Sequence, residues 1–410
     1  MIRTPTIDTL EQDARRVFGN DARVEGPMAQ SGAGLRILNL DLEPALNTDQ
    51  AEFLVDALSH FRLLSIPGQD LERFTLQHLE RFANHWGAPL PHPSNFLRGG
   101  KPAQSDGASD GAIEMIPLAE RIAAHVDAAF PSELQCLPHD SPVVLVVSNF
   151  RGDPHNPGRR SGEPARVAPG GSWHTDIEYE IEPLRVSMFL VHHMPTAQTA
   201  SGTWVDDPEI ENPTEKPYFE GSPKGLMKLR KALPLDGGTA FVDTAAAFAD
   251  LDPREQQALE RVRLRRRLNE GDDGWLAPLV RVNTRSGIKS LHSPVWASRP
   301  RVRPPIEVEG LSTEDSREFL DRIEAHVLQP QFRYDHSHLP GDVTLWDNFM
   351  TLHNSPPMRI HIDSVADARL LYRVSCKGAT TLELPRNDGD DWLAEHITAG
   401  YRTPDEVIRL

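Results

Sequence analysis

The chain has 410 residues, 39% hydrophobic and 25% charged, and no stretch approaches the ~18 uninterrupted apolar residues that a helical membrane span needs. Its 43 basic and 60 acidic residues give a net charge of -17, which repels nucleic-acid backbones and anionic membrane surfaces and so argues against either as a partner. The opening residues MIRTPTIDTLEQDARR lack the apolar core of a secretory signal, and two cysteines, Cys136 and Cys376, build neither a disulfide framework nor a thiolate cluster; both observations fit a reducing cytoplasm.

Taken in chain order, Thr48 to Phe61 carries helical spacing, RLLSIPG at 62 to 68 reads as a short strand, and LERFTLQHLERFANHWG at 71 to 87 as a second helix. Residues 98 to 170 form a long loop region, rich in Gly, Ser and Asp over 98 to 118 and in Gly, Pro and Arg over 151 to 171, interrupted by the buried strand PVVLVVSNF at 142 to 150. From 184 onward strands dominate: LRVSMFLVHHM, TAFVD at 239 to 243, PLVRVNT and IKSLHSPV about a Ser-Gly turn, DVTLW at 342 to 346, and ARLLYRVSC at 368 to 376. Two helices are predicted among them. One spans 253 to 267, starting at Asp252-Pro253 and placing the run RVRLRRR on a solvated helix face; the other spans 313 to 328, introduced by Ser312 with Asp315 in capping-box arrangement. A Pro- and acid-rich insertion at 197 to 236 separates two strands.

The fold class predicted is mixed α/β, mainly β, since many short strands with few helices between them favour an antiparallel sandwich or jelly roll over a doubly wound sheet. Length fits one domain over 1 to 410: an N-terminal α/β part to 97, the loop region 98 to 170, a β core over 171 to 378, and an extension from 379.

The chemistry sits in GGSWHTDIEYE at 170 to 180, where His174 and Asp176 stand two apart; on an extended strand such residues share a face and can share a metal. His-x-Asp is weak by itself, because it also occurs at His125 with Asp127 and at His361 with Asp363. The first of these lies in the helical pattern LAERIAAHVDAAF, where residues two apart diverge by roughly 200°. The second lies in a polar link before a strand. His353, at the end of PGDVTLWDNFMTLH, supplies a third ligand after a strand and a polar turn, completing two nitrogens and one oxygen with positions left open. Beyond it, Arg369 and Arg373 are spaced evenly on one strand, so both guanidiniums aim at one face and call for anions. His192 and His193 are adjacent on a strand and read as packing or surface residues, and Trp173 and Trp346 as packing about the site.

Several of these segments together resemble the taurine dioxygenase family of 2-oxoglutarate-dependent oxygenases, in order from about residue 34 to 378. WHTD at 173 to 176 is similar to the family's first ligand motif, LWDNFMTLH at 345 to 353 to its distal histidine motif, and ARLLYRVS at 368 to 375 to its arginine strand. GGTAFVDTAAAF at 237 to 248 and PLVRVNTRSGIKSL at 278 to 291 extend the likeness. The resemblance implies a double-stranded β-helix, Fe(II) held by His174, Asp176 and His353, and 2-oxoglutarate and O2 as cosubstrates. It further implies Thr239 and Arg369 as 2-oxoglutarate contacts, Arg373 facing the substrate or the inner end of the cosubstrate, and His92 in a substrate-facing loop. The implied reaction couples decarboxylation of 2-oxoglutarate to hydroxylation, desaturation or cyclisation of an anionic small molecule. The long segments 98 to 170 and 197 to 236 depart from the family pattern and are expected to act as lids or as homo-oligomer contacts. A zinc hydrolase using the same three ligands and a non-catalytic binding protein are the alternatives.

Overall fold

The computed structural model describes residues 5–90, 96–98, 113–115, 127, 129–130, 132–138, 143–149, 166–168, 172–198, 201–202, 221–236, 238–298, 303–360, 362 and 364–384. Its organising element is an eight-stranded sheet. Strands Arg23–Glu25, Leu35–Leu38, Leu63–Ile66, Val343–Asp347, Val186–His193, Leu370–Lys377 and Ala88–Pro89 hydrogen-bond in that order, and Leu145–Ser148 pairs beside Leu370–Lys377. The 35–38 and 63–66 strands run parallel, and the other pairs in this sheet antiparallel. A second, three-stranded antiparallel sheet orders Arg333–His336, Thr239–Asp243 and Thr351–Asn354.

Strand alternation divides the large sheet's side chains between two cores. Met188, Leu190, Leu345, Tyr372 and Val374 face one way and pack with Leu10, Leu54 and Phe82 from the helices Ile7–Phe18, Thr48–Phe61 and Leu76–Ala83. Phe189, Val191, Trp346 and Leu371 face the other way and meet Phe241 and Tyr334 of the small sheet. Phe189, Phe241 and Trp346 make a ring cluster with centroids 5.0 and 5.5 Å from Trp346. Burying each such ring stabilises the fold by roughly 1.5–3 kcal/mol, so the two sheets are firmly joined. A third core holds the helix Thr313–Val327, the helices Thr244–Asp250 and Pro253–Leu259, and the hairpin Val280–Val282 with Lys289–Leu291.

The helix 48–61 forms with both bounds as expected, closed by an Asn47–Gln50 capping box. Ser312 caps the 313–327 helix through Asp315 N at 3.1 Å. The 71 to 87 helix is shorter than expected: Thr75 caps a helix of Leu76–Ala83, and Asn84–Trp86 is a 3-10 turn.

Two larger differences have physical causes. The expected 253 to 267 helix ends at Leu259, and Arg263–Arg266 is a strand in a three-stranded sheet with Trp275–Pro278 and Glu307–Val308. Within RVRLRRR the apolar residues alternate with arginines, a two-residue period; Leu264 and Arg266 point inward and Arg263 is exposed. The insertion 197 to 236 is not a loop throughout, because Lys224–Lys231 is a helix. Its Arg230 is buried against the 313–327 helix, donating to Glu324 at 2.7 and 2.9 Å and to Asp321 at 2.9 Å.

Candidate metal centre

His174 and His353 face each other across the two halves of the chain. They form an isolated antiparallel bridge, with His174 N donating to His353 O at 3.1 Å and His353 N to His174 O at 2.9 Å. His353 lies inside the Thr351–Asn354 strand, opposite Phe241, where a position just after a strand was expected. The stretch around His174 is likewise not a regular strand. After the one-residue bridge the chain turns, and Ile177 takes a left-handed conformation with φ of 48°. A β-branched residue there costs of order 1–3 kcal/mol, and this strain sits on the residue next to Asp176.

The result is a tight gathering of donors. One ligand atom from each of His174, Asp176 and His353 lies within 4.8 Å of the others, and all three residues are buried. His174 Nε2 is 3.9 Å from Asp176 Oδ1, His353 Nε2 is 3.6 Å from Asp176 Oδ2, and the imidazole centroids are 4.2 Å apart. His174 Nδ1 is engaged by the Ser172 carbonyl at 2.7 Å, which fixes the ring and leaves Nε2 facing the carboxylate. Two imidazoles and a carboxylate, with the His174 ring fixed from behind and His353 Nδ1 buried and unmatched, are the donor set that a divalent iron or zinc ion takes.

Asp176 is held from the large sheet. Ser187 Oγ donates to Oδ2 at 2.9 Å, and Ser187 is linked to Ser375 at 2.9 Å and Asn348 at 3.0 Å. Arg373 Nη1 donates to Oδ1 at 3.2 Å. Burial by itself pushes this carboxyl up, but Arg373, His353 and His174 outweigh it and hold Asp176 well below the usual carboxylate range. Arg373 therefore already has an anion, Asp176, which differs from the expectation that it needs one from a ligand.

Arg369 does not. It lies immediately before the Leu370–Lys377 strand that carries Arg373, where the sequence pattern places it within the strand; it is 3% exposed, and among the described residues its guanidinium has no hydrogen-bond or ion-pair partner, its Nε being buried and unmatched. Burial alone brings it down to about 10. Close by, Thr239 Oγ1 is 3.0 Å from His338 Nε2, and the charge of Arg369 is felt at His338. The side chains gathered here come from both sheets: Phe189, Thr344 and Arg373 are register partners on one face, and the His338 ring meets Phe189 edge-on at 5.8 Å.

Of the other singled-out residues, His92, His361 and Asp363 lie outside the described residues, as does His125. Asp127 accepts from Cys136 N at 2.7 Å, a structural bond remote from the centre. His192 bonds Tyr372 Oη at 3.0 Å and His193 the Ala368 carbonyl at 2.9 Å, so both are packing residues. Trp173 is fully buried, and the Trp346 ring lies tilted against the His353 ring with centroids 5.2 Å apart. Cys136 and Cys376 are free thiols; burial pushes Cys136 up to about 12, so it is no nucleophile. No helix among the described residues is long and apolar enough to cross a membrane.

The residues missed from the sequence are Ser187, Ser375, Asn348 and His338. Ser187 and Ser375 interrupt apolar strands at inward positions, a signal that period-2 counting carries; His338 follows the end of a strand and carries no such mark.

A sheet pair that brings two histidines and an aspartate together beside a buried arginine matches a known family. The chain belongs to the taurine catabolism dioxygenase TauD, TfdA family, whose model it matches over residues 26–374. It is 32% identical over 143 residues to pentalenolactone F synthase of Streptomyces arenae, covering 30% of this chain and 48% of that protein. It is 31% identical over 176 residues to the alpha-ketoglutarate-dependent 2,4-dichlorophenoxyacetate dioxygenase of Burkholderia sp. strain RASC, covering 39% and 54%. The chain thus spans about half the length of the curated relatives it matches. In fold it is similar to the crystal structure of a taurine dioxygenase from Burkholderia xenovorans, with a TM-score of 0.52 at 18% identity over 88% of this chain and 92% of that one.

Proposed function

We propose that this protein is an Fe(II)- and 2-oxoglutarate-dependent oxygenase on a double-stranded β-helix, its metal held by His174, Asp176 and His353 and its cosubstrate by Thr239 and Arg369. One observation carries the reading: the three donors converge beside Arg369, which is buried with no counter-ion among the described residues. A buried guanidinium without an anion is costly, and a dicarboxylate reaching from the metal would satisfy it through a bidentate, charge-assisted contact. When bound, iron with 2-oxoglutarate and O2 supplies the oxidising chemistry, releasing succinate and CO2 as a substrate C–H bond is oxidised.

The chain's own residues do the rest. Ser172 and Ser187 fix His174 and Asp176, and Arg373 keeps Asp176 ionised so that it can ligate. Phe189, Phe241 and Trp346 exclude water from the space between the sheets. The substrate reading is a small carboxylic acid with an apolar body. Arg373 gives Nη1 to Asp176 and is bordered by the apolar side chains of Leu90, Leu145, Ile177 and Leu184. The substrate in the name of the Burkholderia relative, 2,4-dichlorophenoxyacetate, has that character.

The test is to incubate Fe(II)-loaded protein with 2-oxoglutarate, O2 and a panel of apolar carboxylic acids, following succinate and oxidised acid by mass spectrometry. Succinate formed in step with an oxidised panel member is expected. Turnover sustained by zinc without 2-oxoglutarate would replace this reading by a hydrolase.

A further inference from the structure

Beside Arg369 runs a line of buried polar side chains that the reaction as described does not use. Tyr334 Oη is 3.4 Å from His336 Nδ1, and His336 Nε2 is 3.3 Å from Thr344 Oγ1. Thr344 Oγ1 is in turn 3.3 Å from His338 Nδ1, and His338 Nε2 is 3.0 Å from Thr239 Oγ1. His336, His338, Thr344 and Thr239 are all buried, and the two imidazoles lie edge to face at 4.7 Å. An interior that gathers five alternating hydroxyl and imidazole groups across three strands and the link after one of them has to specify how each bond points, because a group facing the wrong way leaves a buried polar atom unmatched.

The direction follows from the chemistry at one end. A carboxylate can only accept, so a threonine that binds it must donate its O–H. Thr239 Oγ1 is then free to accept, and the group beside it is His338 Nε2, which must carry the proton. A neutral imidazole has one N–H, so His338 Nδ1 accepts, and Thr344 donates to it. Thr344 accepts from His336 Nε2–H, and His336 Nδ1 is left as the acceptor facing the Tyr334 hydroxyl, which also lies 3.8 Å from Met28 Sδ, its alternative acceptor. Every bond in the line is then satisfied with one polarity.

We propose that His338 is a positioning residue for the cosubstrate: by donating from Nε2 to Thr239 it commits the Thr239 hydroxyl to donate to the far carboxylate of 2-oxoglutarate, with Thr344 and His336 fixing its tautomer. This rests on the reading of Thr239 and Arg369 as the cosubstrate site. The neutrality that the line requires is provided by the surroundings. Burial, then His336 and Arg369, hold His338 well below the usual histidine range, and burial, then Arg36, brings His336 down to about 3.

The test compares two ligands by anaerobic calorimetry on Mn(II)-loaded protein, so that no turnover is read. 2-Oxoglutarate has the far carboxylate; 2-oxobutyrate keeps the 2-oxo acid end and lacks it. His338→Leu is expected to weaken 2-oxoglutarate by about 3- to 10-fold, the loss of the neutral hydrogen bond that orients the Thr239 hydroxyl, while 2-oxobutyrate is unchanged. His338→Gln, whose amide N–H can stand in for Nε2–H, should recover most of that loss. Thr344→Val, nearly isosteric, should weaken 2-oxoglutarate by about 3-fold without touching Thr239, and covers the case in which His338→Leu fails to fold. Equal loss for both ligands, or wild-type affinity for 2-oxoglutarate in His338→Leu, overturns the inference while leaving the site reading intact. A wild-type protein that binds the two ligands equally, or neither, overturns the site reading and this inference with it.

Discussion

Arg230 and Arg369 are both almost fully buried, yet their surroundings are opposite. Arg230 spends its N–H groups on Glu324, Asp321 and Ser222, all at 2.7 to 2.9 Å, and ties the helix 224–231 to the helix 313–327. Arg369, just before the Leu370–Lys377 strand, is buried with no partner among the described residues. The difference teaches how a buried charge is to be read. One that is paired inside the chain belongs to the fold, and one left unpaired beside a convergent ligand set waits for a molecule that is not part of the chain.

The comparison breaks most visibly at Arg230. Arg230→Ala strands Glu324 and Asp321 in the interior and should destabilise the fold by about 3–5 kcal/mol in urea titration. A loss under 1 kcal/mol would make that cluster ornamental and weaken the contrast. At Arg369 the expected effect is on ligand and not on fold. Arg369→Lys keeps the charge but loses the planar fork, and should weaken 2-oxoglutarate about 10-fold or more with Fe(II) affinity unchanged, read by anaerobic titration. Arg369→Leu sharpens the contrast from the other side. Removing an uncompensated buried charge should raise the stability of the ligand-free protein, by about 1 kcal/mol, and destabilisation instead would mean that Arg369 has a structural role.

The smallest expected effect concerns protons in the same interior. His336 has a folded value of about 3 against 6.5 unfolded, so the unfolded chain takes up a proton that the folded one refuses. Its contribution to stability is fully present above pH 6.5 and is lost as pH falls from 6.5 through 3. His336→Gln should make the acid limb of the stability curve shallower by about one proton over that window. An unchanged slope would show that His336 is not neutral and buried in solution.

Much of this was legible in the sequence where short-range pattern and geometry coincide. The 48–61 helix has its cap and its period, and the strands 186–193, 239–243, 343–347 and 370–377 have their apolar runs, so the resemblance of WHTD and the distal histidine motif fell on a framework already drawn. Illegible were features decided by partners far along the chain. RVRLRRR looked like a charged helix face because its two-residue alternation is masked by arginines, and the burial of Arg266 beside the His292 and Ser293 carbonyls depends on another strand pair. The helix 224–231 was hidden in a Pro-rich stretch because its stability comes from Glu324 and Asp321. Even spacing predicts Arg369 and Arg373 on one strand face, but Arg369 precedes the strand, and only the three-dimensional arrangement distinguishes the arginine with an anion from the one without a partner among the described residues.

The central claim is that His174, Asp176 and His353 hold iron beside a 2-oxoglutarate site, and the most direct measurement is the visible spectrum of the anaerobic Fe(II) protein as 2-oxoglutarate is added. A weak metal-to-ligand charge-transfer band should grow in the wild type and saturate at one equivalent, and it should be absent in His174→Ala and Asp176→Ala. A band of the same intensity and position in those variants, or none in the wild type at saturating iron and 2-oxoglutarate, would contradict the account.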